Sequence, residues 1–271
     1  MRKHTFTKKY PLGAIVVLLL IALLLSEAFV PLLNATGMFG SGDLASNISS
    51  IIGAVLFLLG MKAWYSPQYK GVLMPGLSMP ETLFVTLPLI LYSLIVMIIQ
   101  LIQFHGYFNP SISNIVRAIT AGFGEEVLYR VTIIPVAMGF LKSEKRIWGI
   151  PLVTALIFGG MHVFNIFSGA SVTNGVVQAV VTAMMGFYYG VLFVATGSAF
   201  PGIMMHGIYD FICFAGDASL TEGIMTTTLA PWEIILNLIL ALAMLLSAIV
   251  ILKKIGSDRI LRIWKDKWSQ E

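Results

Sequence analysis

Three short clusters in this sequence hold side chains of the types that activate water. Glu125 and Glu126 stand five and four residues before Arg130 in Glu125-Glu126-Val127-Leu128-Tyr129-Arg130; Phe158 stands four before His162; His206 stands four before Asp210. Residues four apart share a face of an α-helix, so Glu126 can meet Arg130 and His206 can meet Asp210, whereas Glu125 lies about 100° around the axis from its neighbour. One carboxylate is thereby available to hold structure while the other is free to act. A carboxylate with a histidine beside it can take a proton from water as that water attacks a carbonyl carbon, and Glu125 with His162 fits that pairing. A histidine aimed at the developing oxyanion meets the second requirement of such chemistry, and His206 held by Asp210 suits it.

The elements that must position these groups are membrane helices. Of the 271 residues, 58% are hydrophobic and only 11% are charged, against about 45–50% and about 25% in soluble domains. This composition, with a mean hydropathy of +0.89, excludes a soluble globular enzyme, a disordered chain and a secreted disulfide scaffold. The single Cys213 can form no internal disulfide. A net charge of +4 without an exposed basic domain gives no footprint for nucleic acid.

The apolar runs predict an all-α, polytopic bundle of about eight spans: Leu12–Leu33, Ile48–Tyr65, Leu83–Phe104, Asn114–Phe140, Trp148–Phe164, Val172–Thr196, Phe200–Ala215 and Trp232–Leu252. The first follows a basic head (Arg2, Lys3, Lys8, Lys9) and is too long for a typical signal-peptide core. Of the 17 Lys and Arg residues, all but Arg117 and Arg130 fall in that head, in 62–70, in 142–146 or after Leu252. The loops around 34–47, 105–113, 165–171 and 216–231 have none. Eight crossings put every basic stretch on one side, which predicts a cell-membrane protein with both termini in the cytoplasm. The short loops and the lack of repeats predict one integral domain, 1–271, with a motif-bearing core over 114–215. Arg117 and Arg130 lie inside the fourth apolar region, where a charge is costly unless paired or hydrated, so that region is the place to look for function. Snorkelling to the interface would account for Arg117. The glycines at 122, 124, 159, 160, 186, 190, 202 and 207 are expected to permit close helix approach.

Blander readings exist for each feature. A lone intramembrane histidine can simply tie two helices together, and Glu126–Arg130 reads more readily as a buried structural ion pair than as a direct participant. Two histidines and several carboxylates could also bind zinc, but no His-Glu-x-x-His is present. A peptide-binding or immunity protein without catalysis, and a proton-relaying transporter, complete the alternatives; the single polar cluster and the lack of symmetric halves weigh against transport.

Taken in order, Glu125-Glu126…Arg130, Phe158…His162 and His206…Asp210 resemble the three motifs of the CPBP family, the type II CAAX-protease-like or Abi intramembrane glutamic endopeptidases. The likeness covers roughly Asn114 to Ala215, and Asp210 stands where some members carry asparagine. The resemblance implies that Glu125 activates water with His162, that His206 and Asp210 bind or polarise the scissile carbonyl, and that Glu126 and Arg130 support the site. It implies no cofactor and no catalytic metal. The expected partners are a lipid bilayer and a peptide or membrane-protein substrate, with bacterial members linked to peptide processing or bacteriocin self-immunity and the eukaryotic branch to prenylated CAAX proteins.

Overall fold

The computed structural model describes residues 5–38, 42–65, 69–221 and 224–268; Arg2 and Lys3 of the predicted basic head lie outside them. The chain is a polytopic bundle of α-helices. A short α1 (Thr5–Lys9) leads into α2 (Pro11–Glu27) and α3 (Val30–Ala35), followed by α4 (Gly42–Tyr65) and α5 (Met79–Gln103). Next come α6 (Ile112–Ile119), two π-helical segments (Thr120–Glu125 and Val127–Val131) and α7 (Ile134–Phe140). The chain continues through α8 (Arg146–Met161), a 3₁₀ segment (His162–Ser168), α9 (Val172–Thr196) and α10 (Phe200–Gly216). A two-residue hairpin, β1 (Leu220–Thr221) and β2 (Ile224–Met225), precedes α11 (Pro231–Ile255) and α12 (Ser257–Lys267).

Among the described residues, 6 helical stretches are long and apolar enough to cross a membrane: Pro11–Ala35, Asp43–Lys62, Met79–Gln103, Arg146–Ser168, Val172–Thr196 and Pro231–Ile255. The other two predicted spans take different forms. The fourth is segmented over 112–140, and the seventh is the 17-residue α10, about one turn shorter than a usual span of about 20 residues. Those two elements carry five of the six candidate side chains.

Local chemistry sets the helix ends. Proline opens α2, α5, α7, α10 and α11, where its missing N–H costs nothing. Ser111 and Ser171 cap α6 and α9 by accepting the amides of Asn114 and Asn174 at 3.2 and 3.1 Å. Gly197, at φ 64°, ends α9 in the left-handed conformation.

The axis of the bundle is α9, whose apolar window is 72% buried against 11% for the peripheral Pro11–Ala35. It packs on α8 and α11 and sends Tyr188, Tyr189, Leu192 and Phe193 into the core. On the other wall α10 packs on α5, α6 and Thr120–Glu125.

The loops between successive spans gather at two ends. At the basic end the Trp64 indole donates to Thr7 Oγ1 (2.8 Å), Gly76 N–H to Thr196 O (2.7 Å) and Ala199 N–H to Val72 O (2.7 Å). There α12 lies across the bundle: buried Trp264 donates from Nε1 to Val194 O (2.8 Å), and Lys267 Nζ donates to the carbonyls of Gly71 and Met74. At the opposite end Asn109 N–H donates to Ala215 O (2.7 Å), and Asn174 Nδ2 ties α9 to Met225 O and Thr227 O (3.1 and 2.7 Å).

Candidate active site

The helix bearing the glutamates is wound with π-type turns from Thr120 to Glu125 and again from Val127 to Val131. Such turns re-aim side chains within an otherwise α-helical path. Gly122 makes the accompanying close approach: a Cβ there would stand 2.5 Å from Gly207 Cα, on the turn of α10 that follows His206. Gly124, Gly159, Gly186, Gly190, Gly202 and Gly207 also sit against neighbouring groups, whereas Gly160 faces open space and serves no such contact. Glu126 and His206, 80 positions apart in sequence, are thereby brought together.

Glu126 and Arg130 are fully packed, at 1% and 0% exposure. Glu126 Oε1 meets Arg130 Nη1 at 3.1 Å and accepts from His206 Nδ1 at 2.9 Å. The guanidinium carbon lies 4.0 Å from the centre of the Phe158 ring, so the cation rests on an aromatic face instead of in water. The predicted i,i+4 ion pair thus forms. The carboxylate also fixes His206, a role that sequence spacing had given to Asp210.

His206 is held on every side. Its ring stacks on Tyr189 at 4.8 Å and 21° and stands edge-on to Phe158 at 5.7 Å. Because a carboxylate only accepts, Nδ1 is the donor to Glu126, and Nε2 is left facing Asp210 Oδ2 at 3.4 Å and Glu125 Oε2 at 4.0 Å. Donation from both nitrogens requires the imidazolium form.

His162 opens the 3₁₀ segment, and its Nδ1 lies 2.9 Å from Phe158 O. A carbonyl also only accepts, so in the neutral ring Nε2 carries the lone pair. Glu125 is 35% exposed and, among the described residues, makes no hydrogen bond; its one ionic contact is with His206. Glu125, His162, His206 and Asp210 line one cavity of about 680 Å³, while Glu126 and Arg130 lie behind its wall. No hydrogen bond joins Glu125 to His162; they share the cavity.

Several participants were not singled out in the sequence. Tyr189 and Tyr129 both line the cavity, and the signal for Tyr129 was its i,i+4 spacing from Glu125. Tyr189 had no local signal. Arg117, for which snorkelling was expected, instead binds Asp43 Oδ2 through Nε and Nη2 at 2.9 and 2.6 Å on the cavity rim. Glu233 caps α11 by accepting Ala230 N–H at 2.6 Å and also accepts from Gln103 Nε2 at 2.6 Å.

No curated protein and no solved structure matches the chain. Residues 107–212, which hold all three polar clusters, match the family model described as "Type II CAAX prenyl endopeptidase Rce1-like", so that region of this multi-pass membrane protein is similar to the CPBP, or CAAX-protease-like, proteins.

Proposed function

We propose that the chain is an intramembrane endopeptidase of the cell membrane that hydrolyses a peptide bond with water activated by Glu125 and His162. The observation that carries this reading is the shared cavity: Glu125, His162, His206 and Asp210 converge on one space from three helices, with Glu126 and Arg130 locked behind them. In this reading 114–215 is the catalytic core of a single integral domain, and both termini are cytoplasmic.

The chemistry follows from the donor and acceptor roles. Water sits between Glu125 and the lone pair of His162 Nε2. Glu125 takes its proton as the water oxygen attacks the carbonyl carbon, and the carbonyl π electrons move onto oxygen. His206 as imidazolium donates from Nε2 to that oxyanion while Nδ1–H remains bonded to Glu126. Asp210, 3.4 Å from Nε2, helps to balance the single positive charge of the imidazolium. The C–N bond then breaks as the oxyanion re-forms a carbonyl, and Glu125 returns the proton to the departing amine.

The substrate is a peptide or membrane protein. Purified protein is incubated with a mixed pool of prenylated and unprenylated peptides, beside Glu125→Gln and His162→Ala, with and without chelator, and products are read by mass spectrometry. Products from the parent protein alone, unaffected by chelator, support the reading. Equal products from the variants overturn it, and chelator-sensitive, zinc-restored cleavage reassigns the mechanism to a metal.

A further inference from the structure

The cavity has one sealed end and one open end, and the two differ in charge. At the sealed end Arg130 is fully buried beneath the catalytic side chains, and α12 closes the bundle with Trp264 and Lys267, 1% and 5% exposed. The open end is lined by Asp43, Gln103, Asp217, Thr227 and Glu233, all at the loop end opposite to α1 and α12. From Gly216, at that end of α10, His206 is ten residues down the helix, so a substrate descends about 15 Å to reach it.

Every lysine among the described residues sits at the sealed end: Lys8 and Lys9 before α2, Lys62 and Lys70 around the α4–α5 loop, Lys142 and Lys145 before α8, and the remainder at the end of α11 and in α12. Arg146, Arg259 and Arg262 are there too. At the open rim the one described arginine, Arg117, is neutralised by Asp43. Positive charge resists translocation, so the sealed end belongs to the cytoplasm.

From the direction of the opening we propose that this site takes its peptide from the extracytoplasmic face of the membrane: the substrate is a segment exposed there or lying in the outer leaflet. This inference rests on the peptidase reading only for what happens to the peptide after entry; the direction of entry stands on the fold and the charge distribution.

The chain supplies its own probe. Cys213, its single cysteine, lines the cavity one turn beyond Asp210 toward the opening. Right-side-out and inverted membrane vesicles containing the full-length protein are treated with a small, charged, membrane-impermeant thiol reagent. In parallel, Lys142→Cys in a Cys213→Ala background marks the sealed end. The expected result is Cys213 labelling in right-side-out vesicles and Lys142→Cys labelling only in inverted ones. Cys213 labelling confined to inverted vesicles, or absent from both, overturns the proposal.

An impermeant peptide substrate found with the purified protein is then added to both vesicle types, beside Glu125→Gln. Glutamate-dependent products confined to right-side-out vesicles support entry from outside, and products confined to inverted vesicles overturn it. Absence of glutamate-dependent products from the purified protein overturns the peptidase reading alone, and the Cys213 result still decides where the cavity opens.

Discussion

Glu125 and Glu126 are neighbours in the chain and occupy different media. The first stands on the wall of a 680 Å³ cavity, 35% exposed and without a hydrogen bond among the described residues. The second belongs to a packed layer in which Arg130, His206, Phe158 and Tyr189 leave it 1% exposed. A group that must gain and lose a proton needs freedom and access to water, whereas a group that orients another must have neither. The π-helical turns on either side of Glu126 place adjacent residues on opposite sides of that boundary.

The division predicts that stability and activity separate by layer. The largest effect is on turnover: Glu125→Gln is expected to lower it by about 10²–10⁴-fold, the range for loss of a general base, with no change in the thermal midpoint in detergent. A fall in that midpoint would place Glu125 in the packed layer.

Arg130→Met should cost about 3–5 kcal/mol of folding stability, because it strands a buried carboxylate, and thermal unfolding in detergent will show it. An unchanged midpoint would mean that water reaches Glu126. Glu126→Gln is expected to lie between the two layers. Losing a charge-assisted bond to His206 and stranding the buried Arg130 cation should cost about 3–5 kcal/mol while also lowering turnover through His206, so calorimetric and kinetic losses should appear in the same variant. A kinetic loss alone would remove its structural role.

The smallest effect is expected at the rim. Arg117 and Asp43 also form an arginine–carboxylate pair, but their side chains are 15% and 25% exposed. Arg117→Ala should therefore cost about 0.2–1 kcal/mol, as exposed pairs do. A loss as large as that of Arg130→Met would show the rim to be as dry as the packed layer.

Hydropathy made much of this fold legible. The predicted Val172–Thr196 coincides with α9, and the predicted Trp232–Leu252 lies within α11. What composition could not show is where a helix departs from regularity. The π turns at 120–131 depend on contacts such as Gly122 against Gly207, which no local pattern encodes. The helix α12 was read as part of a basic tail, because its apolar face is too short to register as a span.

In the candidate site, i,i+4 spacing correctly joined Glu126 to Arg130. It gave Asp210 the orienting role toward His206, because it sees only one helix at a time. The bond at Nδ1 comes instead from Glu126, and the stacking ring comes from Tyr189 on a third helix.

The position of α12 has a consequence for biosynthesis. Trp264 and Lys267 fasten the loop before α5 and the end of α9, two regions translated long before them. In the order of synthesis those two regions emerge before the helix that clasps them. A chain truncated ahead of Ser257 would keep all of its candidate catalytic side chains and lose the contacts that fasten these two regions to each other.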